Sequence, residues 1–108
     1  MLSFANNLKK NGTNIARPSI IKIKNNDYRM WYSYISSKTS KYRIGYAFSK
    51  NCIDWKRQDN KCHFNFDGKI AKQMLCYPNV FKFKNDYYIL FNGDNFGHEG
   101  FGISKIIF

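Results

Sequence analysis

Apolar and polar positions alternate along most of this chain, and the alternation comes round twice. In Ser19–Lys24, "SIIKIK", isoleucine alternates with lysine so that Ile21 and Ile23 share one face, the period of a half-buried strand. Asn25–Asp27 is turn chemistry, because Asn and Asp tolerate positive φ and bond to their own backbone. Tyr28–Tyr34, "YRMWYSY", is aromatic and β-favouring, and Ser36–Lys41 is a polar loop. Tyr42–Ser49, "YRIGYAFS", reads as a third strand; the turn "KNCID" then leads to a short strand at Trp55–Arg57. The second pass has strands at Asn79–Lys84, Tyr87–Phe91 and Phe101–Phe108. A tight turn at Asn85–Asp86 and a glycine-rich loop over Asn92–Gly100 separate them.

The two passes align with one residue of slack in the hairpin. Pro18 matches Pro78, Lys22 matches Lys82, Lys24 matches Lys84, Asn25 matches Asn85, Asp27 matches Asp86 and Tyr28 matches Tyr87. Further on, Gly45 matches Gly102. Ordered matches over three strands and their turns describe a repeat of about 60 residues. The pattern predicts an all-β chain of antiparallel meanders, either propeller blades or a small sandwich or barrel. Residues 1–16 read as a lead-in loop or the end of a preceding blade, 17–75 as a first blade plus connection, and 76–108 as a second, incomplete blade. The stretch 58–75 is the least periodic; it lacks the caps and apolar stripe of a helix.

Composition refines this picture without redirecting it. The chain has 108 residues, enough for one modest core, and aromatics make up 19% of it. Its net charge is +11, from 18 basic and 7 acidic residues. A positive chain with lysine interleaved among aromatics raises nucleic-acid binding as a reading. Against it, lysine and asparagine are both abundant, the charges are scattered, and there is no RNP-like or zinc-knuckle pattern. The outward half of each alternating strand accounts for the lysines, so nucleic acid ranks last among the expected partners. No apolar run has the length of a signal-peptide core or a membrane span, and three unpatterned cysteines suit reduced thiols, so a cytoplasmic location and no membrane partner are expected. Cys52, Cys62, His63 and Cys76 lack the close paired spacing of a zinc site, and no metal or other cofactor is expected.

"ARPSIIKIKNNDYRMWYSY", "YRIGYAFSKNCIDWKR" and "QMLCYPNVFKFKNDYYILFNGDNFGHEGFG" together resemble the C-terminal blades of glycosidase-like five-bladed β-propellers. That superfamily contains arabinanases, β-xylosidases, invertases and levansucrases. The resemblance runs from about residue 15 to 108 and rests on the proline-led inner strands, the aromatic strands and the Ser49-to-Trp55 turn. It implies four-stranded meander blades and a site that hydrolyses, transfers or binds glycosyl groups. Two local departures stand out: Cys52 occupies a turn position where relatives have glycine, and Gln73 stands where relatives often carry glutamate. Glutamine keeps the shape and hydrogen bonding of glutamate but not its charge.

The chain also has about two repeats where a ring needs five, and glycosidases need two carboxylates flanking the scissile bond. The resemblance therefore implies a fragment or subunit of a carbohydrate-binding or carbohydrate-acting propeller that is not catalytic alone. A partner chain or self-association would supply the missing blades. The alternative is a catalytically inactive glycan-binding or propeller-completing module. Since the inner strand of a blade lines the channel, Arg17, Ser19, Tyr77 and Asn79 are the expected substrate-binding residues. Trp31 is added as a stacking ring, and Gln73 for its position. Asp94, His98 and Glu99, gathered in the glycine-rich loop, are the acid–base types available for catalysis. Asp27, Asp54 and Asp86 read as turn residues, and Asp59 and Asp67 as solvated.

Overall fold

The computed structural model describes residues 12–65, 74–98 and 100–108. Among these the chain is all-β, with two antiparallel meanders packed against each other. The first sheet has the order β1-β2-β3-β4, from β1 (Gly12–Lys24), β2 (Asp27–Ser36), β3 (Tyr42–Ser49) and β4 (Lys56–Arg57). The second has the order β5-β6-β7, from β5 (Cys76–Phe83), β6 (Asp86–Asn92) and β7 (Phe101–Ile106). Neither sheet closes on itself.

The repeat read in the sequence is present as matched registers. Lys22 lies opposite Tyr28 in the first sheet and Lys82 opposite Tyr87 in the second; each lysine ammonium sits over its tyrosine ring, at 6.0 and 5.7 Å from the centroid. Ser19 faces Trp31 as Asn79 faces Leu90, and Ala16 faces Ser33 as Cys76 faces Asn92. Across the next strand pair, Tyr32 faces Gly45 as Phe91 faces Gly102. The slack residue is also located: a bulge between Lys22 and Lys24 absorbs it in the first hairpin, whereas the second runs straight from Lys82–Tyr87 to Phe83–Asp86.

Three expectations about boundaries change. Strand β1 begins at Gly12, so 12–16 are strand and not lead-in loop. Left-handed φ at Asn14 (+54°) and Arg17 (+52°) and two register shifts interrupt the period there, which hid the strand. Asp27 and Asp86 open the return strands, leaving Asn25–Asn26 and Lys84–Asn85 as the turns. The loop after β6 contains a helical turn, Asp94–Gly97, in which Asn95 and Phe96 adopt left-handed backbone.

The main core lies between the sheets. Trp31, Ile44 and Tyr46 from the first pack with Leu75, Val80, Ile89, Phe91 and Ile106 on the other side. A second cluster, Met30, Tyr32 and Ala47 with Ile15, Tyr34 and Trp55 against it, fills the opposite face of the first sheet. Two side-chain hydroxyls join the sheets: Ser19 Oγ accepts from Val80 N (2.9 Å) and Ser33 Oγ from Tyr77 N (2.7 Å).

The turn after β3 is built by side-chain acceptors. Ser49 Oγ takes the Asn51 and Cys52 amides and Asn51 Oδ1 takes those of Ile53 and Asp54, while Trp55 Nε1 donates to Cys52 O. Cys52 has φ +65°, a conformation glycine adopts without the penalty a Cβ brings. That is the physical reason a glycine would suit this position.

Candidate functional site

The first strands of the two sheets, β1 and β5, pack against each other, and each kinks one residue before its proline. Arg17 (φ +52°) and Tyr77 (φ +57°) are left-handed at equivalent places, although a residue before proline favours extended backbone. The two kinks bring the Arg17 guanidinium to 4.5 Å from the Tyr77 ring centroid. Phe96, from the left-handed turn after β6, stacks on Tyr77, with 5.8 Å between ring centroids and an interplanar angle of 29°. Its ring meets Tyr42 edge-on at 5.6 Å, and Tyr42 lies 6.5 Å from Tyr77. Three of these residues, Arg17, Tyr77 and Phe96, hold left-handed φ, and Phe96 is 52% exposed. Such backbone costs about 1–3 kcal/mol per residue and gathers where a surface must hold a particular shape. The result is a cluster of three aromatic rings and one cation in which Arg17 and Phe96 are exposed and Tyr42 and Tyr77 half-buried.

The sequence-predicted residues separate here. Arg17 and Tyr77 form the platform, and Asn79 is exposed on β5 two residues after Tyr77. Ser19 is adjacent, but its hydroxyl is used in joining the sheets. Trp31 does not serve as a stacking ring: it is fully buried (0%) in the core, and its Nε1 donates to Cys62 O at 2.9 Å. Gln73 and Glu99 lie outside the described residues. Asp94 caps the chain, its Oδ1 accepting from Met74 N at 2.8 Å, and His98 is an exposed residue whose amide donates to Asn95 O. Phe96 and Tyr42 were missed. Phe96 sits in a stretch with no period, and only its neighbours Asn95 and Gly97, both turn formers, hinted at special backbone.

A second constellation contradicts the solvated reading of Asp59. This residue opens a 3-10 turn (Asp59–Lys61) beside β3. Its Oδ1 accepts from Tyr32 OH at 2.5 Å and from Tyr46 N at 3.0 Å, and its Oδ2 pairs with Arg57 Nε. The Arg57 guanidinium also covers the Tyr34 ring at 4.6 Å. Gly45 makes the arrangement possible, since a Cβ there would fall within 2.6 Å of the Tyr32 ring and of Asp59 Oδ1. Burial, followed by the Asp59 carboxylate, raises the Tyr32 hydroxyl far above its ordinary pKa. An acid with three partners already on it is a structural anchor rather than a proton donor.

Two hollows flank this anchor. One of about 400 Å³ is lined by Tyr34, Ser36, Arg57 and Asn60, and one of about 480 Å³ by Cys62, His63, Phe64 and Lys105. Neither includes the Arg17–Tyr77 platform. Burial, then the nearby Arg29 cation, lowers the His63 imidazole below its ordinary value. Burial pushes the Cys62 thiol up to about 12 and the Cys76 thiol up to about 11, which keeps both protonated and unreactive. Among the described residues no three His, Cys, Asp or Glu side chains come together to hold a metal ion. No helix among them is long and apolar enough to cross a membrane.

Comparison with known proteins adds two relatives. An uncharacterized protein of Mycobacterium tuberculosis (Oshkosh strain) is 31% identical over 81 residues, covering 73% of this chain and 26% of its own length. Its counterpart in a second strain of that species is 32% identical over the same extent. The chain thus spans about a quarter (26%) of the curated relatives it matches. No protein-family model matches it, and no solved structure does.

Proposed function

We propose that the chain forms two neighbouring blades of a glycosidase-like β-propeller and contributes part of a carbohydrate-binding surface. The observation that carries this reading is the packing of the two sheets' first strands against each other. Two meanders of equal register lie with β1 beside β5, and their matched pre-proline kinks present Arg17 and Tyr77 together. Aromatic faces suit the C–H faces of a sugar ring, and a guanidinium gives a fork for a carboxylate or phosphate carried on it. Asn79 supplies both donor and acceptor for hydroxyls.

The chain binds glycan in this reading and does not turn it over by itself. Each acid among the described residues is engaged: Asp27 by Arg29, Asp54 by Asn51, Asp59 by Tyr32 and Arg57, Asp86 by Lys105, and Asp94 by the Met74 amide. That favours the glycan-binding alternative over an independent hydrolase. Calorimetric titration with neutral and anionic oligosaccharides tests the reading. Arg17→Ala or Tyr77→Ala should weaken binding about tenfold or more, the effect of losing one charge-assisted or well-packed contact of ~1.5–3 kcal/mol. Equal affinity for the native chain and both variants would remove the platform from the binding surface.

A further inference from the structure

A third hollow, of about 250 Å³, is lined by Arg29, Tyr46, Phe48, Gln58, Lys61 and His63. Lys61 and His63 also line the 480 Å³ hollow, so the two share a wall. The smaller one is a concentration of hydrogen-bond donors, and no carboxylate is among the described residues that line it. Arg29 spends three of its five N–H groups: Nε and Nη2 on Asp27, and Nη1 on the Tyr46 hydroxyl at 2.8 Å. Tyr46 accepts there and keeps its own proton to donate, since burial raises its hydroxyl above the ordinary pKa. The Gln58 amide, the Lys61 ammonium and the His63 imidazole are further donors.

The backbone holds these groups in place. Lys61 N donates to Gln58 O at 2.9 Å, closing the 3-10 turn, and Ile107 N donates to His63 O at 2.8 Å. His63 has left-handed φ (+64°), and its ring meets that of Tyr46 edge to face with 4.8 Å between centroids. Charge around the hollow is uneven. Asp27 offsets Arg29, Arg57 holds Asp59 and Asp86 pairs with Lys105, whereas among the described residues no acid pairs with Lys61 or His63. Burial first, then Arg29 and Lys61, keep the imidazole below its ordinary value, against a backbone hydrogen bond at Ile107. A bound anion would relieve that crowding of positive charge.

We propose that this hollow binds a phosphate-class oxyanion, either the free ion or the phosphoryl group of a small molecule. Its donors come from β2, β3 and the segment around the 3-10 turn. Donors spread in this way suit the four oxygens of a tetrahedral ion better than the two of a carboxylate. The adjoining hollow, with Asn60, Asn65 and Ser104 in its lining, has room and polar groups for whatever carries the phosphoryl group. Neither Arg17 nor Tyr77 lines either space, so the proposal stands or falls apart from the glycan reading.

The chain has two histidines, which gives the test an internal control. Nuclear magnetic resonance follows both imidazoles as inorganic phosphate replaces chloride at constant ionic strength. His63 should shift saturably while the exposed His98 stays where it is. Sulfate, whose charge is constant over the titration, reads the His63 pKa, which should rise by about one unit on binding. Lys61→Gln should weaken phosphate about three- to tenfold, as for a charge-assisted contact partly in solvent. Lys38→Gln removes the same charge at the other end of the β2–β3 hairpin from Arg29 and should leave the affinity unchanged. Both lysines are exposed, so unchanged circular dichroism is expected for each variant. Glucose 6-phosphate binding more tightly than phosphate supports the ester form, and equal or weaker binding supports the free ion. A His63 signal indifferent to phosphate and sulfate would overturn the proposal, as would two histidines that shift together. Equal losses in the two lysine variants, or acetate bound as tightly as phosphate, would do the same.

Discussion

Among the described residues, the first sheet is covered on both faces and the second on one. Met30, Tyr32 and Ala47 are buried on the face of the first sheet away from the second, with Trp55 and Ile15 packed against them. The corresponding outward side of the second sheet leaves Phe101 and Ile103 exposed, and no strand among the described residues pairs beyond β7 as β4 pairs beyond β3. Register and turn are alike in the two sheets, so the backbone plan alone does not decide how firmly a meander is held. What lies over it does.

The largest test of that difference is a matched truncation. Trp31→Ala empties a fully buried site and should cost about 3–5 kcal/mol, much of the stability of a domain this size. Leu90→Ala, at the equivalent but half-exposed position, should cost no more than ~1–2 kcal/mol in urea unfolding. Equal losses would mean that the outer face of the second sheet is packed as tightly as the inner face of the first. Gly45→Ala comes next: it drives a methyl into the Tyr32 ring and Asp59, and about 1–3 kcal/mol should be lost with a perturbed tyrosine spectrum. Arg17→Ala should cost only ~0.5–1 kcal/mol, since a cation over an exposed ring adds little to folding, whatever it does for glycan.

The subtlest effect is one of pH. The folded-state pKa of His63 lies below its ordinary 6.5, so the unfolded chain binds more protons in that window. Stability should be full above about pH 6.5 and fall as pH drops through the depressed folded value. His63→Gln should flatten that part of the stability profile. A profile equally steep in the variant would assign the slope elsewhere.

Much of the strand plan was legible because it depends on short-range signals: alternation at Ile21 and Ile23, turn formers at Asn25 and Asn85, and the echo of Tyr28 in Tyr87. The parts that were not legible depend on distance or on backbone hand. Nothing near Asp59 announces that it will meet Tyr32, 27 residues away, across a glycine. The start of β1 was obscured because left-handed residues shift the alternation, and Phe96 lay in a stretch without one. Trp31 illustrates another limit: alternation assigns a side chain to a face but does not say whether that face is open. Of the platform, Arg17 and Tyr77 could be named in advance because prolines marked them, whereas their aromatic neighbours could not.

The serine joints between the sheets also bear on the order of events in folding. Each meander is made of hairpins between chain neighbours, but the Ser19–Val80 hydrogen bond spans 61 residues. Closing so long a loop is slow compared with forming local hairpins, so the meanders take shape first and this latch closes after them. A contact made after the rate-limiting step affects the way out more than the way in. Removing the Ser19 hydroxyl should therefore leave the refolding rate nearly unchanged and let the native chain come apart faster.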